Sequence, residues 1–243
     1  MIPKYTLDNI KFSTDQPTFQ RAVKLYQQGK VTQFKLGISS YTAVVNSTKL
    51  YHVFVENRSF KYSDCNCYLG EKDTLCKHIV AVAIHIVKQG KPLKPDEIQQ
   101  HHQPKCSGKR GQLSVTKLKN IKTQITSAVR YIKPYNGPSR IWFQYQNSLD
   151  EGCNRLSSII CELPVSKQTS DMLVKLLLRL DKKLTTGGVD DSNGTVGGFI
   201  EETVEVLKKF AKLDRDCLQS FSLLKNQSTC FDWEYPLLDL IEK

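Results

Sequence analysis

The stretch Cys65-Asn66-Cys67-Tyr68-Leu69-Gly70-Glu71-Lys72-Asp73-Thr74-Leu75-Cys76-Lys77-His78 sets two donor pairs eight residues apart. One residue separates Cys65 from Cys67, and one separates Cys76 from His78. Three thiolates and one imidazole make a complete tetrahedral donor set for zinc. A catalytic zinc keeps one position open for water; here protein side chains fill all four, which points to a structural ion. The spacing also constrains the backbone. Alternation along a strand would send Cys65 and Cys67 to opposite faces, so the chain must turn between them. Residues two apart do not share a helix face, so Cys76 and His78 belong in an irregular first helical turn. An ion held this way ties a strand to a helix. It contributes folding free energy of order 10 kcal/mol.

Working outward, Pro17 to Gln28 reads as a helix with Ala22, Val23, Leu25 and Tyr26 as its apolar stripe and Gly29 as its stop. Three strand-like runs follow, Val31–Ile38, Tyr41–Asn46 and Leu50–Glu56. Tyr41, Ala43 and Val45 share one face; Tyr51, Val53 and Val55 alternate against His52 and Phe54. Short turns between the runs predict an antiparallel meander. Phe60–Ser63 reads as a fourth strand leading into Cys65, and Asp73–Lys88 as a helix apolar on most sides. Such a helix needs a sheet against one side and another element against the other.

Residues 91–112 hold several prolines and glycines with Lys105, Lys109 and Arg110, and read as a basic linker. Beyond it the pattern is helical: Leu113–Ile132, Asp171–Leu184, Thr195–Leu213 and a short Trp233–Ile241. The expected fold class is therefore α+β. Residues 1–90 form a zinc-binding meander with flanking helices, and residues 113–243 form a mostly helical domain.

The pattern Cys65-x-Cys67-x8-Cys76-x-His78 resembles the SWIM zinc-finger signature, and two flanking segments agree. Arg21-Ala22-Val23-Lys24-Leu25-Tyr26-Gln27-Gln28-Gly29-Lys30-Val31 resembles the opening helix and glycine of such domains, and Cys76-Lys77-His78-Ile79-Val80-Ala81 resembles the start of their last helix. The resemblance covers about residues 17–90. More loosely, Gly187-Gly188-Val189-Asp190-Asp191-Ser192-Asn193-Gly194 and the helix after it look like the C-terminal region of prokaryotic SWIM zinc-finger proteins. SWIM modules occur in chromatin-remodelling ATPases, transposase-like proteins, ubiquitin ligases and recombination accessory proteins. The resemblance implies Zn2+ as cofactor and binding to DNA or to protein, without choosing between them.

Composition narrows the rest. The chain has 243 residues, 40% hydrophobic and 24% charged, a balance that suits a globular protein rather than a disordered one. No run of 18 apolar residues marks a membrane span, and the first residues lack a signal-peptide stretch, so the protein is expected in the cytoplasm, or in the nucleus of a eukaryote. Cys106, Cys153, Cys161, Cys217 and Cys230 stand alone and read as plain thiols. No nucleotide-binding loop is present: Gly29-Lys30 and Gly108-Lys109 lack the upstream glycine and the following Ser or Thr. The Asp190–Gly194 loop lacks the Asp and Glu that a calcium loop needs at its first and twelfth positions, and reads as a flexible connection. His52 reads as structural or surface, His85 as a core or edge histidine, and His101-His102 as a solvated turn. No catalytic set is expected.

The net charge of +11 is uneven: +6 over residues 1–90, +9 over 91–145 and −4 over 146–243. This asymmetry points to a polyanion partner, although a solubilising surface has the same composition. The candidate phosphate contacts are Arg21, Lys24 and Lys30 by the first helix, Lys72 and Lys77 at the zinc loop, Lys105, Lys109 and Arg110 in the linker, and Lys117, Lys119 and Lys122 on the next helix. Tyr62 and Tyr68 either stack on unpaired bases or cap the metal site. Two functions follow. One is non-specific binding of nucleic acid, DNA foremost, as an accessory factor. The other is a protein adaptor, or a regulatory subunit of a larger machine, docking through the exposed side of the Leu173–Leu184 helix or of Trp233–Ile241.

Overall fold

The computed structural model describes residues 2–139 and 142–242. The chain divides into two compact units, Met1–Gln100 and His101–Lys243, each with its own hydrophobic core.

In the first unit, α1 (Leu7–Phe12) starts at a reciprocal cap in which Asn9 N donates to Thr6 Oγ1 and Thr6 N donates to Asn9 Oδ1. Six residues are too few for a readable periodicity, and this helix lies outside the sequence expectation. The following helix, α2 (Gln16–Gln27), begins where the Asp15 carboxylate accepts from Thr18 N at 2.9 Å. It buries Phe19, Ala22, Val23, Leu25 and Tyr26 on one side. It ends at Gly29, whose φ of 65° suits glycine, with Lys30 N donating back to Leu25 O at 3.0 Å.

A four-stranded antiparallel sheet follows in the order β1 (Val31–Leu36), β2 (Ser40–Asn46), β3 (Leu50–Glu56), β4 (Asp64–Cys65). Tyr41 faces Val55, Ala43 faces Val53 and Val45 faces Tyr51 across the β2–β3 pair, which assembles the inner apolar row. Strand β1 is shorter than expected. Gln33, at φ 48°, forms a bulge that shifts the register between Thr32 and Lys35. Helix α3 (Lys77–Lys88) lies against β2 and β3 on one side and against α1 and α2 on the other. Ile79 through Ile84 are buried without interruption, which the continuous apolar run required.

Two boundaries differ from the sequence expectation. Phe60–Tyr62 is a 3-10 turn, not a strand: the Ser59 hydroxyl caps Lys61 N, and Phe60 is buried edge-on against Tyr5. Pairing resumes only at Asp64–Cys65, where Cys65 faces Val53. Helix α3 starts at Lys77 rather than Asp73, because Asp73 takes a left-handed conformation, φ 53°, that closes the 3-10 turn Gly70–Lys72.

Residues 91–112, expected as a linker, are shared between the units. Residues up to Gln100 pack on the first through the short α4 (Pro95–Ile98): Lys11 Nζ donates to Asp96 O at 2.7 Å, and Lys88 pairs with Glu97 at 2.8 Å. Residues beyond it are pinned to the second, where Ser107 Oγ donates to Leu163 O at 2.6 Å and Val165 N to Lys109 O at 2.7 Å. Polar side chains and free backbone groups make these bonds, so a Pro/Gly-rich composition did not mean a free segment.

The second unit is helical: α5 (Val115–Val129), α6 (Trp142–Cys161), α7 (Lys167–Thr185), α8 (Thr195–Leu213), a long 3-10 segment Arg215–Leu224 and α9 (Tyr235–Glu242). Leu173, Leu176, Leu177 and Leu180 of α7 all face the core. The C-terminal segment is tied to α7 by one buried carboxylate. Asp181 Oδ1 accepts from Cys230 N at 2.8 Å, Cys230 Sγ at 2.9 Å and Trp233 Nε1 at 3.0 Å. Asp181→Ala should strand these donors at a cost on the order of 3 kcal/mol. Differential scanning calorimetry is expected to show the melting of this unit lowered by roughly 10 °C.

No helix among the described residues is long and apolar enough to cross a membrane.

Candidate metal centre

Each of the four donors is placed by a different local device. Cys65 ends β4 and points inward because its partner Val53 lies on the inner face. Past it the chain leaves the strand. Asn66 holds the turn against β3, donating from its backbone to His52 O at 3.3 Å and accepting from His52 N on its side chain at 2.8 Å. That turn brings Cys67 to the same side as Cys65. Cys76 is the N-cap of α3, in extended backbone at φ −109° and ψ 161°, and His78 lies in the first helical turn. All four side chains are buried, and their ligand atoms lie within 4.8 Å of one another.

The donor geometry fits zinc. Bonds of about 2.3 Å to sulfur and about 2.05 Å to nitrogen, at a tetrahedral angle, set sulfur and nitrogen about 3.6 Å apart. His78 Nδ1 is 3.7 Å from Cys65 Sγ and 3.8 Å from Cys76 Sγ. Backbone amides support the thiolate form. Cys67 receives the Gly70 N–H at 3.4 Å, and the backbone amides of Cys67 and Ile79 act to lower the pKa of Cys65 and Cys76. A hydrogen bond from Cys65, helped by His78, holds the Cys76 thiol well below the ordinary thiol range against the opposing effect of burial, while Cys65, as proton donor of the pair, is pushed up. A cation at this place would hold all three sulfurs as thiolates. Its role is structural: it would join β4 and its turn to the N-terminus of α3.

Two contributors lay outside the sequence reading. Tyr51, on the inner face of β3, stacks on His78 with ring centroids 4.0 Å apart and planes 18° from parallel. The alternation of β3 placed Tyr51 inward but did not say what it meets. Gly70 packs so closely on Cys65 that a Cβ there would lie 2.1 Å from the Cys65 carbonyl oxygen.

Tyr62 and Tyr68 do not cover the centre. They are 64% and 69% exposed, and Lys72 donates to Tyr68 OH at 2.7 Å with its Nζ 4.4 Å over the ring.

The basic residues fall into separate groups. Arg21 and Lys24 are exposed on α2, with Arg21 turned back onto Pro17 O at 3.0 Å, and Lys30 is half-buried beside β1. At the metal loop Lys72 is exposed and Lys77 half-buried. In the second unit Lys105, Lys109 and Arg110 are exposed on the segment before α5, with Arg110 donating to Leu213 O. Lys117, Lys119 and Lys122 are exposed on α5.

The remaining candidates resolve into structural contacts. His85 packs between Phe34 and Tyr26, at 4.9 and 6.0 Å, and burial lowers its pKa. His102 is not a solvated turn residue: it is half-buried, with Nδ1 3.0 Å from Asn154 Oδ1. The 187–194 loop is a built cap rather than a flexible connection, because the Asp191 carboxylate accepts from Val196 N and Gly197 N, both at 2.8 Å, at the start of α8.

Fold and centre together define a class: an α+β unit with a buried Cys3His cluster compatible with zinc, followed by a helical unit. Comparison of the chain with protein-family models, with curated proteins and with solved structures gave no match.

Proposed function

We propose that the chain is a non-catalytic, zinc-stabilised module that binds nucleic acid, DNA foremost, through phosphate contacts without sequence choice. The resemblance of its Cys3His spacing to SWIM zinc fingers agrees with this reading, and an accessory role beside a larger nucleic-acid-processing machine follows from it. One observation carries the proposal. From residue 98 to residue 149 the chain holds nine Lys and Arg residues and no Asp or Glu. Among the described residues, Lys105, Lys109, Lys117, Lys119 and Lys122 are exposed and belong to no salt bridge. Exposed lysines without acidic neighbours keep their full attraction for a polyanion and release its counterions on binding. In the first unit, the exposed Tyr68 ring under Lys72 offers a stacking surface beside a cation, a combination that suits an unpaired base.

Fluorescence anisotropy with a labelled duplex and a labelled single strand, over a salt series, tests the reading. Affinity should fall steeply with salt, log K changing by about −0.9 per phosphate contacted on duplex DNA. Replacing Lys117, Lys119 and Lys122 together by Gln should flatten that slope by about 3 and weaken binding equally on unrelated sequences. Absence of binding at low salt, or binding that salt does not weaken, would overturn it.

A second reading, a protein adaptor, is favoured by exposed apolar residues on the first unit: Leu36, Ile38, Leu50 and Phe54. The leucines of α7 and Trp233 and Leu237 face the core, which leaves Lys175, Arg179 and Lys182 on the exposed side of α7, so an apolar adaptor contact would use this sheet. Cross-linking of the full chain against Ser substitutions at Leu36 and Ile38 separates the two readings.

A further inference from the structure

We propose that Tyr51 is the positioning residue of the metal centre, holding the His78 imidazole so that Nδ1 stays aimed at the ion. A histidine that ligates a metal ordinarily gives its other ring N–H to a carboxylate, a carbonyl or water, which fixes both tautomer and ring angle. Here that device is missing from the protein side: His78 Nε2 is buried, and no described protein group is within hydrogen-bonding reach of it. By contrast, the Cys67 sulfur receives the Gly70 amide at 3.4 Å. The imidazole thus lacks a hydrogen-bonded support on its outer nitrogen, and the Tyr51 ring lies flat against it at 4.0 Å.

Tyr51 is itself held on several sides. Its strand position is fixed by pairing with Val45, its hydroxyl lies 2.9 Å from Thr48 Oγ1 in the β2–β3 turn, and Lys49 Nζ lies 5.6 Å over its ring. A plane anchored to the sheet can restrict rotation of an imidazole about its Cβ–Cγ bond without any hydrogen bond. The sheet then contributes to the centre at two places: Cys65 of β4 as a ligand, and Tyr51 of β3 as a wall.

The test is a double-mutant cycle on the full chain, reading Zn2+ affinity by competition with a chromogenic chelator and ligand geometry by the visible spectrum of the Co2+ form. Tyr51→Leu keeps apolar bulk but removes the flat ring, and is expected to weaken Zn2+ binding about tenfold. Tyr51→Phe keeps the ring and is expected to hold affinity within about twofold. In the His78→Cys background the fourth donor is no longer an imidazole, so Tyr51→Leu should then change nothing. Equal losses in both backgrounds would make Tyr51 an ordinary packing residue and overturn the proposal. So would a Tyr51→Phe protein as weak as Tyr51→Leu. Nitrogen-15 spectra of the Zn2+-loaded His78 ring give a readout independent of the His78→Cys protein. A single sharp tautomer with metal-bound Nδ1 is expected, broadened in Tyr51→Leu; coincident spectra would also refute the role.

Discussion

Cys76→Ser is expected to abolish Zn2+ binding and to unfold the first unit while the helices of the second remain. Serine offers a hard, protonated oxygen where zinc wants a thiolate. Cys76 is 1% exposed, so the hydroxyl also sits in a pocket built for sulfur. The loss is not confined to one bond. The strand that delivers Cys65 is two residues long, and the segment from Asn66 to Leu75 contains only a single 3-10 turn, so little besides the centre fixes this loop to α3. Structural zinc contributes folding free energy of about 10 kcal/mol, and a domain is stable by roughly 5–15 kcal/mol in total. Removal of the ion thus takes most of what holds the unit together. The second unit has a separate core, from Ile125 through Leu237, and keeps it. Far-ultraviolet circular dichroism with metal analysis should show one melting transition lost and one kept, and a strong chelator should reproduce the result on the unaltered chain. An unchanged melt in the variant would contradict a structural centre.

How much of this was legible beforehand follows from what each feature depends on. The ligand spacing, the inner row of β2 and β3 and the all-round burial of α3 are local patterns, readable from one stretch at a time. So was Thr195–Leu213, whose bounds agree with α8 as found. Features that depend on a contact distant in sequence were not readable. Helix α6 has no legible helical stripe because Gln146, Glu151 and Ser157 interrupt its apolar face. All three are buried, and Gln146 is held by Asp190 O at 3.0 Å, 44 residues away. Residues 101–112 looked free because Pro and Gly carry no packing signal, while the bonds that pin them come from Leu163 and Val165. At the metal centre the ligands were legible and their supports were not. The alternation of β3 puts Tyr51 on the inner face, but nothing in the sequence says that Tyr51, rather than Tyr62 or Tyr68 beside the cysteines, meets His78.

Gly70→Ala is the sharpest case of a residue whose weight shows only in three dimensions. A Cβ at position 70 would lie 2.1 Å from the Cys65 carbonyl oxygen and 2.8 Å from the Cys65 Cβ. Both atoms belong to a metal ligand fixed in a strand, so no flexible chain end can move aside. The loop must instead withdraw. Withdrawal stretches the hydrogen bond from Gly70 N to Cys67 Sγ and pulls Cys65 off its line to the ion. A cost of about 3 kcal/mol, in the range of severe backbone clashes, corresponds to a loss of roughly 150-fold in Zn2+ affinity. Gly29→Ala supplies the control. Gly29 has a left-handed φ of 65° but nothing within 4 Å of an added Cβ. It should cost about 1 kcal/mol in conformational strain and so lower Zn2+ affinity by no more than about fivefold. Chelator competition and thermal melts on the two proteins decide the matter. If Gly70→Ala binds Zn2+ as tightly as Gly29→Ala does, the close packing of the loop on Cys65 is not what shapes the centre.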